Sequence, residues 1–149
     1  MSSAAPVSAC PLCEGDGGLV VLRHEKFRVI RVQGAEAADF PAFYRVIWNS
    51  HVAEWSDLSD ADQVLCMRAV SAVERAVRDS VQPRKINLAA LGNMVPHLHW
   101  HVVARFDWDS RFPAPIWAAP VRPNDEARWD HVRQRLSACD AAIAALNLN

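Results

Sequence analysis

No apolar run in the 149 residues approaches the roughly 20 needed to cross a bilayer, and residues 1–9 hold neither a basic segment nor an apolar stretch of the kind that directs export. A soluble, cytoplasmic chain is expected, with no membrane partner. Charge of one sign is lacking too: 16 basic and 17 acidic residues leave a formal net charge of -1, which argues against extended nucleic-acid binding. Any phosphate must be held locally. Four cysteines are few for a disulfide scaffold, and no internal repeat or low-complexity tract is present. With 51% hydrophobic residues the chain can bury one substantial core, so a single domain over 1–149 is expected, with a flexible start at 1–9.

Hydrophobic periodicity supplies the elements. Residues 19–22 and 27–32 are short strand-like runs separated by the polar Arg23-His24-Glu25-Lys26, a hairpin signal. Residues 34–41 read as a loop and 44–48 as a third strand. A long helix should start at Ser59, capped with help from Asp62, and stop at Pro83. Val64, Met67, Val70, Val73, Val77 and Val81 form its apolar stripe. Strands follow at 85–91 and 97–105, then a loop rich in proline and aromatics at 106–123. A final helix runs from 124 to the end and buries Trp129, Val132, Leu136, Cys139, Ile143 and Leu146. Strands with one inserted helix and one terminal helix predict an α+β domain, its helices laid on one face of an antiparallel sheet of about five strands.

The chemistry concentrates in His97-Leu98-His99-Trp100-His101. Strand side chains alternate, so His97, His99 and His101 should share one face while Leu98, Trp100 and Val102 take the other. Three alternating histidines in a chain with six are hard to explain by packing alone. They can serve a phosphate, or they can share one zinc with a position left for water. No nearby carboxylate stands out as the general base that the metal reading would use. Cys10 and Cys13 have the short spacing that lets two thiolates reach one metal or form a redox pair, whereas Cys66 and Cys139 read as helix core.

Asn87, the turn Gly92-Asn93 and the run from His97 to Val103 resemble the signature of the histidine-triad superfamily, His-φ-His-φ-His-φ-φ with φ apolar. The resemblance covers roughly residues 10–117. It implies a homodimer whose protomers join their sheets, and hydrolysis or transfer of a nucleoside monophosphate group from phosphoramidates, dinucleoside polyphosphates or similar compounds. No catalytic cofactor is then required. A neutral imidazole is a good nucleophile near neutral pH, so His99 can displace the leaving group and hold the nucleotidyl group covalently. His101 and His97 beside it can donate hydrogen bonds to phosphoryl oxygens or protonate the leaving atom. Asn87 and Asn93 match positions that bind phosphate or ribose, and read equally well as strand-end and turn residues.

Two features bear on that resemblance. The family's fourth histidine, eight residues ahead of the loop histidine His51, is replaced by Phe43, which puts turnover in doubt and leaves room for a non-catalytic nucleotide-binding module. The ribose-binding acid has no clear counterpart among Gln33, Glu36 and Asp39. Many relatives hold a structural zinc, and the resemblance implies Cys10, Cys13, His51 and His97 as its ligands here. The remaining readings are plain. His24 and His131 are solvated, Asp107 and Asp109 are loop carboxylates, and Trp117 anchors a core, packs across a subunit boundary or covers the nucleotide.

Overall fold

The computed structural model describes residues 9–149; the flexible start expected at 1–9 lies outside these residues except for Ala9. Five antiparallel strands, β1 (Leu19–Arg23), β2 (Phe27–Arg31), β3 (Phe43–Trp48), β4 (Lys85–Ala89) and β5 (His99–Arg105), form one sheet in the order β1-β2-β3-β5-β4. The short helix α1 (Pro11–Glu14) precedes them, α2 (Ala35–Ala38) joins β2 to β3, and α3 (Asp60–Val81) joins β3 to β4. The expected terminal helix is two helices, α4 (Glu126–Arg133) and α5 (Leu136–Ala144). The α+β class and the five-stranded sheet agree with the sequence reading.

Alternation in β3 and β5 sorts the two faces. Tyr44, Val46, Trp100 and Val102 pair across one face, where the Tyr44 hydroxyl donates to Asp140 of α5 at 2.7 Å and Trp100 meets Trp55 edge-on. Arg45, Ile47, His99 and His101 pair across the other. Ser59 caps α3, its hydroxyl accepting from the Asp62 backbone N–H, while the Asp62 carboxylate bonds to Lys26 rather than completing a capping box. The buried stripe of α3 is Cys66, Ala69, Val70, Val73, Ala76, Val77 and Val81. Val70, Val73, Val77 and Val81 are buried as expected, while Cys66, Ala69 and Ala76 complete the stripe in place of Val64, which stands exposed, and Met67, which is only partly buried. Small Ala and Cys side chains let the helix sit close to the sheet, a signal that large-residue periodicity misses. No helix among the described residues is long and apolar enough to cross a membrane.

One buried guanidinium fastens the 106–123 loop. Arg105 at the end of β5 reaches Asp109 through Nε at 2.9 Å, the Ala114 carbonyl through Nη2 at 2.7 Å, and Asn87 Oδ1 through Nη1 at 2.7 Å. Burial by itself would raise the Asp109 pKa, yet Arg105 and the backbone N–H groups of Phe106 and Arg111 hold it below the usual carboxylate range. Of the two expected loop carboxylates, Asp109 is thus a buried structural anion, whereas Asp107 is exposed.

Truncating Asp109→Ala strands the Arg105 charge and should cost about 3–5 kcal/mol of unfolding free energy, read by urea denaturation. A loss below about 1 kcal/mol, the range of a surface pair, would show that the bridge does not hold the loop.

Candidate active site

β5 begins at His99, not His97, and His97 sits in the lead-in segment. The ring contacts split accordingly. His99 and His101 lie edge to face at 4.9 Å between centroids, while His97 pairs with His51 at 5.1 Å. The three rings therefore divide between two sites. A period-2 strand would have kept them in one row; the bend at His97 takes its ring elsewhere.

Each ring's proton is placed by a neighbour whose polarity is unambiguous. His97 Nε2–H donates to the Trp48 carbonyl at 2.6 Å, since a carbonyl can only accept, and this leaves the Nδ1 lone pair free. His99 Nδ1–H donates to the His97 carbonyl at 2.6 Å, which leaves the Nε2 lone pair free. His101 Nδ1 accepts from Arg45 Nε at 3.2 Å, because arginine can only donate, so His101 carries its proton on Nε2. All three are held neutral. Burial depresses each pKa first; for His101 the Arg45 charge and His99 add to it, bringing it to about 3.

The free His97 nitrogen faces a compact donor set. His97 Nδ1 lies 3.5 Å from Cys10 Sγ, 3.5 Å from Cys13 Sγ and 3.2 Å from His51 Nδ1, and Cys13 Sγ lies 3.4 Å from His51 Nδ1. The four ligand atoms all fall within 4.8 Å of one another. A tetrahedral zinc with bonds of about 2.3 Å to sulfur and about 2.0–2.1 Å to nitrogen has edges near 3.3–3.8 Å, so this set fits one. Among the described residues, these four are the cluster that could hold a metal.

Arg28 of β2 builds that corner. Its guanidinium donates to the carbonyls of Leu12, Gly15 and Asp16 and to Asn49 Oδ1, at 2.8–3.0 Å, tying α1 to the sheet and to the loop before His51. Gly18 lies so close to β2 that a Cβ there would stand 2.7 Å from the Arg31 carbonyl.

A cleft of about 550 Å³ opens beside His101. Asn87 and Leu88 of β4, His101 and Val103 of β5, and Pro113, Ile116 and Trp117 of the following loop line it. The Trp117 ring stands 5.1 Å from His101 and remains 51% exposed, so it is not a core anchor. Because Asn87 Oδ1 is engaged by Arg105, its amide nitrogen is the group left to donate. Asn93 is exposed and does not line the cleft.

The remaining residues singled out in the sequence separate. Glu36 pairs with Arg45 and Asp39 with Arg111, while Gln33 is exposed. Phe43 stacks on His101 at 5.6 Å and carries the Arg45 guanidinium over its ring. His131 is exposed, and His24 is half-buried against Phe27 rather than solvated. Arg28, Arg45 and Arg105 were missed by sequence reasoning. The signal available for each was a charged residue inside an otherwise apolar strand run.

Residues 19–108 match the HIT domain family model. The AP-4-A phosphorylase of Mycobacterium tuberculosis is 27% identical over 129 residues, which are 82% of this chain and 64% of that protein, so the chain spans slightly less than two thirds of this relative. A histidine triad protein from Bradyrhizobium japonicum superposes with a TM-score of 0.70 and 26% identity, covering 95% of this chain and 99% of that one. A Zn-bound histidine triad family protein from Mycobacterium smegmatis, 24% identical, shares the fold with a TM-score of 0.55 over 89% of this chain and 94% of its own.

The depressed His101 pKa sets a pH dependence. The unfolded imidazole takes up protons below about 6.5, whereas the folded one refuses them down to about 3, so stability should fall as pH drops through that window. His101→Asn, which keeps an acceptor for Arg45, should flatten the decline of Tm between about pH 4 and 6.5. An unchanged slope would mean that His101 is not held neutral.

Proposed function

Since the chain belongs to the HIT domain family, we propose that it is a nucleotidyl hydrolase or transferase that cuts its substrate at the α-phosphate through a covalent intermediate on His99. One observation carries the reading: the His97 carbonyl fixes the His99 proton on Nδ1, so a neutral Nε2 lone pair is available as nucleophile. The name of the mycobacterial AP-4-A phosphorylase supports nucleotide chemistry of this general kind. In the first step His99 Nε2 forms a bond to the α-phosphorus as the bond to the leaving group breaks. In the second, the oxygen of water or another acceptor bonds to the α-phosphorus, the N–P electron pair returns to His99 Nε2, and the proton of the attacking O–H goes to solvent as the nucleoside monophosphate leaves.

The other residues are assigned supporting roles. His101 Nε2–H and the Asn87 amide donate to phosphoryl oxygens as charge redistributes, and Ile116 and Trp117 offer an apolar wall for the nucleoside. His97 acts through its carbonyl, and its ring belongs to a structural zinc site with Cys10, Cys13 and His51. A zinc ion would serve there as a cross-link rather than as a reagent. We further assign a homodimer, for β4 is an outer strand and Leu88 and Leu91 stand exposed on and beside it. A non-catalytic nucleotide-binding role is the second reading. It is favoured by Phe43, whose ring cannot exchange a proton with the triad.

Incubation with candidate nucleotides followed by mass spectrometry should trap a nucleoside monophosphate adduct on His99. His99→Ala should lose it along with about 10³-fold or more of turnover. Undiminished cleavage by that variant ends the transfer reading, and tight binding without any adduct selects the non-catalytic one. Separately, the purified protein should carry about one zinc per chain. Cys13→Ser should lower both that content and the Tm, and a metal-free wild-type protein with unchanged Tm after chelation would remove the assignment.

A further inference from the structure

Around His101 the cleft holds groups that can donate a hydrogen bond but no group poised to give up a proton. Arg45 sits opposite His101 in the β3–β5 register and points Nε–H at His101 Nδ1 at 3.2 Å. Its Nη2 is held by Glu36 of α2, and its guanidinium lies 5.0 Å over the Phe43 ring, so the side chain is fixed from two sides. A proton cannot enter Nδ1 against that donor. His101 therefore carries one proton, on Nε2, and giving it away would leave an imidazolate. His99 is no substitute, for its one proton is committed to the His97 carbonyl.

The charged and titratable groups around His101 are Arg45 from β3, Glu36 beyond it on α2, and His99 from β5. Lys85 of β4 lines the same cleft but donates to the Ile86 carbonyl at 2.7 Å. Phe43 and Trp117, the aromatic rings on His101, have no ionisable group.

We infer that Arg45 is a positioning residue that keeps His101 a neutral Nε2–H donor, and that the enzyme is thereby restricted to substrates whose leaving group departs without a proton, namely nucleotides with a phosphoanhydride bond at the α-phosphorus. This rests on the transfer reading above and selects within it. When His99 Nε2 bonds to the α-phosphorus of a dinucleoside polyphosphate, the P–O pair leaves on an oxygen of the polyphosphate, which is stable as an anion. When the scissile bond is P–N, the pair would leave on an amine nitrogen that must be protonated as it departs. No side chain beside His99 and His101 supplies that proton, Lys85 standing opposite Arg105 in register, four residues along β5 from His101. General acid assistance is worth about 10²–10⁴ in rate, so its absence separates the two substrate classes by at least about a hundredfold.

Two measurements on the full-length protein test this. Nitrogen NMR of His101 should find the proton on Nε2, with no titration between about pH 5 and 8. Single-turnover labelling of His99 should run at least about a hundredfold faster with a dinucleoside tetraphosphate than with an alkylamine phosphoramidate of the same nucleoside. Arg45→Met frees Nδ1, so His101 should then titrate, and the phosphoramidate should gain rate with an acid limb in its pH profile, narrowing the gap. A wild-type His101 protonated on Nδ1, or a phosphoramidate that labels as fast as the anhydride, overturns the inference. Failure of both compounds to label His99 overturns the transfer reading instead, and the His101 spectrum still decides what Arg45 does.

Discussion

A carbonyl oxygen can only accept a hydrogen bond and a guanidinium can only donate one, and these two facts settle where the protons sit on three neighbouring imidazoles. Trp48 takes the proton of His97, His97 takes that of His99, and Arg45 bars one from His101 Nδ1. The result alternates. One ring presents a lone pair to the cysteines, the next a lone pair on Nε2, and the third an N–H toward the cleft. Burial makes the arrangement durable by disfavouring every charged form. Had any of these partners been a hydroxyl or a water, either polarity would have been open.

Much of this was legible in the sequence because it obeys local rules. Ser59 and Pro83 bracketed the long helix, and alternation around Val102 identified the strand that carries His99 and His101. Cys10, Cys13, His51 and His97 do meet, although as many as 87 residues separate them along the chain. That meeting was implied by resemblance and not by spacing, since nothing local relates position 10 to position 97. One error was local. A single helix was expected after residue 124 because apolar periodicity carries through the break at Gln134 and Arg135.

The arginines show what periodicity cannot reach. Arg28, Arg45 and Arg105 interrupt apolar strand runs, and a charge in such a run reads as a residue on a solvated face. Here each points inward and finds several acceptors or a ring, which takes partners from distant segments: Leu12 and Asn49 for Arg28, His101 and Glu36 for Arg45, Asn87 and Ala114 for Arg105. Such partners are set by tertiary contact alone. A charge that stays buried must have them, because an unpaired one would be expelled or would unfold the strand.

The Arg105 guanidinium has a mechanical meaning. It grips Asn87, which lines the cleft from β4, the Ala114 carbonyl between the lining residues Pro113 and Pro115, and the Asp109 carboxylate. β4 and the 113–117 segment are thus cross-linked through one side chain rather than joined by the backbone alone. The 113–117 segment therefore cannot part from β4 without breaking hydrogen bonds to a buried charge, the kind whose loss costs most.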